Sequence, residues 1–166
     1  MAQNTIWASN LFGENTKVAL WAHNGHVNFC KLTGSMGYHL KEELEEKYQI
    51  LGFAFSVGSF TAVRIENGTY QGLDIHYIVD EPRFNSINYL FHHAKYDNFI
   101  LRESDIRVIS SFNRWIWKPW KPRSFLSIGS IFNISYLPYF YTPILLKKTY
   151  DVMIYWDTTT AAEQLN

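Results

Sequence analysis

The sequence predicts an α/β domain built on a mixed, partly parallel sheet, with a βαβ unit and flanking helices. Three observations carry that expectation. Short apolar runs alternate with a clear amphipathic stretch, an Asn-Gly pair separates two strand-like segments, and the 166 residues fit a single domain spanning 1–166, given the usual ~100–200 residues per domain. Hydrophobic residues make up 47% of the chain, aromatics 17% and charged residues only 18%, against about 25% charged in an ordinary globular protein. Such a balance excludes a disordered chain. It also predicts more apolar surface than usual, some of it awaiting a partner.

The opening, Met1 to Phe12, holds Ile6, Trp7 and Phe12 without an N-cap residue ahead of it. It reads as the last turns of a helix that began upstream and stops at Gly13. Val18 to Ala22, an apolar run bounded by polar residues, reads as a buried strand. Met36, Leu40, Leu44 and Tyr48 are spaced four apart among charged neighbours, which predicts an amphipathic helix capped near Ser35. Ile50 to Phe55 follows as a second buried strand, Gly52 permitting close approach. Strand, helix and strand with short links make a βαβ unit, so these two strands are expected to run parallel. Ligands of such sheets bind beyond the carboxyl ends of the strands, here His23 to His26 and Ser56 to Ser59.

Farther along, Asn67-Gly68 between Phe60–Glu66 and Thr69–Tyr77 predicts a β-hairpin. Phe84, Ile87, Leu90, Phe91 and Ala94 keep helical spacing after Pro82. Phe99 to Leu101 and Asp151 to Trp156 read as strands, and 110–143 as loops with short elements.

Fifteen basic residues balance fifteen acidic ones, so net charge offers no case for nucleic acid. Locally the balance breaks: Arg107, Arg114, Lys118, Lys121, Arg123, Lys147 and Lys148 face no acid between 107 and 150. The single cysteine, Cys30, rules out an internal disulfide and fits a reducing compartment. No signal peptide and no apolar run of membrane-spanning length stands in the sequence, so the expectation is a cytoplasmic protein with no membrane partner.

His23-Asn24-Gly25-His26 is the segment most suggestive of chemistry. Two imidazoles three residues apart at a strand's carboxyl end can face one cleft as acid, base or ligand. Equally, one can cap the strand while the other meets solvent, and the spacing alone leaves both open.

Five segments in order, Trp21–Val27, Met36–Leu40, Leu51–Phe55, Gly58–Ala62 and Tyr150–Ala162, resemble the erythromycin esterase family. The resemblance implies hydrolysis of a macrolactone-type ester by a water that a histidine base activates, without metal or other cofactor. In the family that base lies in the N-terminal half, near a Gly-Glu-x-x-His segment. Here Gly13-Glu14 is followed by Asn15-Thr16-Lys17. The expectation is therefore a C-terminal fragment of a larger erythromycin-esterase-like fold, inactive alone, with a missing N-terminal half packing on residues 107–148. His23 and His26 are carried over as the catalytic pair, with Asn24, Ser59 and Phe60 on the substrate side.

Two other readings compete. One is a free-standing, non-catalytic ligand-binding module that keeps the histidine-lined cleft. The other is a metal-assisted hydrolase, which lacks the third protein ligand such sites require. The remaining candidates favour structural roles: His39 on the surface, His76 paired with Asp74, Cys30 in the core and Asp157 capping the last strand. His92 and His93, adjacent on a helix, do not share a face. Arg114 to Arg123 interleaves three Trp with four basic residues, a pattern suited either to an anionic or sugar surface or to an interface with another domain.

Overall fold

The computed structural model describes residues 1–102 and 121–162, apart from 12, 14, 15, 32 and 33. Most of the Trp-rich basic segment, Arg114 to Trp120, lies outside the described residues. Helix α1 (Ala2–Asn10) and the short α2 (Asn24–Val27) precede α3 (Met36–Leu44). Then come β1 (Leu51–Glu66), β2 (Thr69–Ile78), α4 (Ile87–His92) and β3 (Asn98–Arg102). The chain ends with β4 (Arg123–Leu126), β5 (Ile131–Phe132), β6 (Tyr141–Ile144), α5 (Leu146–Thr149) and β7 (Val152–Thr159).

The main sheet has the order β2-β1-β7-β3, with β5 also paired to β1, and β4 and β6 form a separate ribbon. Strands β1 and β7 run parallel, while β2 and β3 are antiparallel to their neighbours. The sheet is thus mixed and partly parallel. The parallel partner of β1, however, is the C-terminal strand and not Val18–Ala22. That run makes no ladder, and Val18, Leu20 and Trp21 are exposed. Its apolar content was visible in the sequence, but the backbone it would pair with is taken: the Asn24 amide occupies both the N–H and the C=O of Phe53.

Local chemistry explains the other elements. Ser35 caps α3 by accepting from Tyr38 N–H, and Ser86 does the same for α4 from Tyr89 N–H, each satisfying an orphan donor. Asn67 (φ 48°) and Gly68 (φ 76°) are both left-handed, as a type I′ hairpin turn requires.

Strand β1 is 16 residues long and serves two cores. Gly52, Ala54 and Ser56 face the first, made by Leu40, Ile87, Phe91, Phe125, Leu146, Met153 and Tyr155. The second, Ala62, Ile78, Leu126, Phe132 and Tyr141, also receives Phe55 and Phe60. Odd Phe55 and even Phe60, with ring centroids 5.7 Å apart, cannot share a face of a regular strand. Gly58 (φ +114°) absorbs the shift in alternation. It is also where β1 leaves β7 for β2, since Gly58 is in register with both Thr159 and Ile78.

A Cβ at Gly58 would lie 2.1 Å from the Thr159 carbonyl oxygen. Gly58→Ala therefore combines a disfavoured φ with a backbone clash, and is expected to lower unfolding free energy by about 3 kcal/mol or more. Urea titration followed by circular dichroism measures this, and an unchanged midpoint would sink the account of the kink. Tyr150 lies buried in the first core, and burial pushes its phenol from 10.0 up to about 12, partly opposed by the Asn28 amide. Because the folded value is raised, this contribution to stability is complete below pH 10 and disappears as pH rises towards about 12. Tyr150→Phe should flatten that part of the alkaline stability profile; an identical slope in the variant would refute the assignment.

Candidate functional site

A cleft of about 340 Å³ opens over Phe53 to Phe55, near the amino end of β1, and over Trp156 and Thr159 in the carboxyl half of β7. Trp21, Phe53 and Trp156 form its aromatic walls, Leu126 to Ile128 one rim, and His23 and Asn24 the polar corner. Trp21 packs on Phe53 with centroids 5.2 Å apart. None of the described residues lining the cleft is Asp, Glu, Lys or Arg.

His23 is the N-cap of α2, and its Nδ1 accepts the Gly25 N–H at 3.0 Å. Its Nε2 lies 2.5 Å from the Ile128 carbonyl oxygen. A carbonyl only accepts, so Nε2 carries the proton, and both ring nitrogens are engaged by backbone. This ties the α2 corner to the 126–128 segment across the cleft. Asn24 makes the complementary link: Nδ2 donates to Phe53 O at 2.6 Å, and Oδ1 accepts from Phe53 N at 3.0 Å. Its side-chain amide imitates one residue of a neighbouring strand.

The other sequence candidates lie elsewhere. His26 follows one helical turn on, its ring centroid 6.3 Å from that of His23. It lines a separate pocket of about 460 Å³ with Met1, Ser35 and His39. Gly25 sits inside α2, and the two rings meet edge to face. Ser59 Oγ accepts from Ala161 N at 2.9 Å and its carbonyl accepts from Thr159 Oγ1, which fastens the segment after β7. Phe60 stacks on His76 and meets Phe132 edge to face in the second core.

His76 pairs with no carboxylate in the way the sequence suggested. Its Nε2 meets Ala62 O at 3.2 Å, while Asp74 bonds Arg64 at 3.2 Å. Asp157 does more than cap a strand. Its Oδ1 accepts from Tyr155 OH at 2.5 Å and from His92 Nδ1 at 2.6 Å, and Ser56 Oγ is 2.6 Å from Tyr155 OH. Burial, reinforced by the hydrogen bond to Asp157, drives the Tyr155 phenol well above its ordinary value. This chain joins α4 to β1 and β7 on the face opposite the cleft, and Asn88 extends it by binding Phe55 O and Leu126 N. No group of three or more His, Cys, Asp or Glu suited to a metal occurs among the described residues.

Sequence reasoning did not single out Trp21, Phe53 or Trp156 as cleft residues. Each stands in an apolar run that reads as core. The only hint is that both Trp lie within one residue or two of a polar switch, at His23 and at Asp157.

The architecture is that of an α/β domain with a mixed, partly parallel sheet and an aromatic-walled cleft over β1 and β7. The profile of the erythromycin esterase family matches residues 1–159, and the chain belongs to that family. Among solved structures it is similar to a succinoglycan biosynthesis protein, with TM-score 0.74 and 27% identity over 96% of this chain. A Bacillus cereus protein shares the fold with TM-score 0.70 and 21% identity over 96% of this chain. The chain spans 37% of the length of each. No protein of curated function matches it. Among the described residues, no helix is long and apolar enough to cross a membrane.

Asn24→Ala should remove both bonds to Phe53, costing about 1–2 kcal/mol. A lower urea midpoint checks this; a wild-type midpoint would show that the amide clamp contributes nothing.

Proposed function

We propose that this chain supplies one wall of the active cleft of a hydrolase-type enzyme acting on carboxylic esters of the macrolactone kind, in the cytoplasm, and that it turns over no substrate alone. Membership of the erythromycin esterase family supports the hydrolase class. The observation that carries the rest is the state of His23. With Nδ1 held by Gly25 and Nε2 by Ile128, the imidazole has no free lone pair with which to take a proton from water. None of the described residues lining the cleft is a carboxylate that could do so instead. A positioned general base contributes roughly 10²–10⁴-fold in rate, and the described lining supplies none. In this reading His23 holds the cleft's shape, its one N–H given to Ile128 O. Asn24 fixes the strand behind it, and the Trp21, Phe53 and Trp156 faces take the apolar body of a large ester ring.

The engaged imidazole also favours the second reading, a binding module without catalysis. Both readings expect binding without turnover by the isolated chain. They part when the catalytic machinery is restored: only the first then gives ester cleavage.

The test uses the purified chain and erythromycin. Saturable quenching of tryptophan emission should appear, weakened at least tenfold by Trp156→Ala, with no ring-opened product by mass spectrometry. Absence of any quenching would remove the macrolactone reading. Product formation that disappears in His23→Ala would overturn the claim that the chain is inactive alone.

A further inference from the structure

Strand β2 is an open edge of the main sheet: among the described residues it pairs with β1 alone. Which of its backbone groups face outward follows from β1. The Val63 N–H donates to Ser130 O at 2.8 Å, on the side of β5, and so points away from β2. In an antiparallel ladder such a residue and its partner form a non-hydrogen-bonded pair, and the two kinds of pair alternate. Val63 is in register with Leu73, Thr61 with Ile75 and Ser59 with Tyr77. The N–H and C=O groups of Leu73, Ile75 and Tyr77 therefore point out of the sheet edge. A separate bond agrees: the Ile75 N–H is met at 2.8 Å by Oδ1 of its own neighbour, Asp74.

The same residues carry an apolar stripe. Leu73, Ile75 and Tyr77 are 64%, 49% and 61% exposed, and alternation puts them on one face. The register with β1 shifts between Tyr70 and Leu73, at Gly72 (φ +90°), and Asp80-Glu81-Pro82 follows at the other end. Between these limits, Leu73 to Val79 holds no Lys and no Pro. An open apolar edge of this kind is a template for another strand.

We infer that β2 pairs antiparallel with β2 of a second copy of this chain, across a two-fold axis at Ile75, joining two sheets into one. The sequence of the edge selects that occupant. A two-fold axis normal to the sheet keeps each side chain on its own face, so it passes through a residue and not between two. Centred on Asp74, it would oppose two carboxylates; centred on His76, two imidazoles. Like groups directly opposite are unfavourable. Centred on Ile75, it sets Asp74 against the second copy's His76, Leu73 against the second copy's Tyr77, and Ile75 against itself. The outward groups then meet in pairs that exchange both backbone bonds. The second copy's Ile75 carbonyl takes over the N–H that Asp74 holds in the single chain. One strand pair is small beside a standard interface of about 1,600 Å², so the dimer is weak and forms with rising concentration. Neither the cleft nor the hydrolase reading bears on this pairing.

Sedimentation velocity over a concentration series, on the chain as it stands, is the test. A monomer–dimer equilibrium is expected. Ile75→Lys, which opposes two cations at the axis, should weaken it about tenfold or more. The urea midpoint of the monomer should not change, because the Ile75 N–H serves no strand within it. Should that midpoint fall, cross-linking decides. With Cys30→Ser as background, Ile75→Cys should link two copies on mild oxidation, since a hydrogen-bonded pair sets Cα atoms about 5.5 Å apart. Tyr70→Cys, beyond the register shift, should not. A chain that stays monomeric at every concentration would overturn the pairing. So would equal cross-linking at both cysteines, or a dimer that Leu51→Asp abolishes and Ile75→Lys leaves intact.

Discussion

The structure depends on one strand changing sides. β1 begins in parallel register with β7 under the first core and ends in an antiparallel hairpin under the second. The transition needs a left-handed residue with no side chain at the point where two partners meet. Gly58 meets that need, with the Thr159 carbonyl lying where a Cβ would go. Everything around the cleft follows from this. Because the alternation shifts at Gly58, Phe55 and Phe60 fall on one side and pull β4 and β5 over the end of the sheet. The β4 end and the residues after it, Leu126 to Ile128, thereby become the rim that His23 grips.

The opposite face is held by polar bonds in an apolar setting. Ser56, Asn88, Tyr155 and Asp157 sit where unsatisfied groups would each cost about 1–3 kcal/mol. Each finds a partner: Asn88 alone binds Phe55 O, Leu126 N and, through its carbonyl, Ser56 Oγ. Asn88 thus ties α4 to both β1 and β4, bringing two elements to the cleft from behind. Fully satisfied networks of this sort specify a single packing, and this one sets the angle at which the β4 rim overhangs β1.

Much of the fold was legible because it rests on short-range chemistry. The Asn67-Gly68 turn, the Ser35 cap and the four-residue spacing of Met36, Leu40 and Leu44 each act within one element, and each forms where expected. Pairing between distant segments was not legible. Val18–Ala22 and Asp151–Trp156 are both short apolar runs, and nothing in either says which lies beside β1. The outcome turns on Asn24, whose amide closes the edge at Phe53, and on Asp151, whose carboxylate accepts from Ile50 N at 2.7 Å and starts β7 in register. The site was legible to the same degree. His23 and Asn24 announced themselves as polar residues after an apolar run. Trp21 and Trp156 did not, because hydropathy cannot tell a buried aromatic from one lining a cleft.

The geometry of His23 and His26 shows why spacing alone misleads. Three residues apart on a helix, two side chains lie on adjoining faces and can converge, but here the first is the N-cap and stands outside the helix. Its ring folds back to accept the Gly25 N–H, as a cap does, while His26 projects from the first turn towards Met1 and His39. Capping satisfies an otherwise orphaned N–H, and the capping ring still meets His26 edge to face, with centroids 6.3 Å apart. The same bond presents the protonated Nε2 towards the 126–128 rim. A histidine so held is a donor by construction. Any proton acceptor that works in this cleft must come from groups other than its described lining.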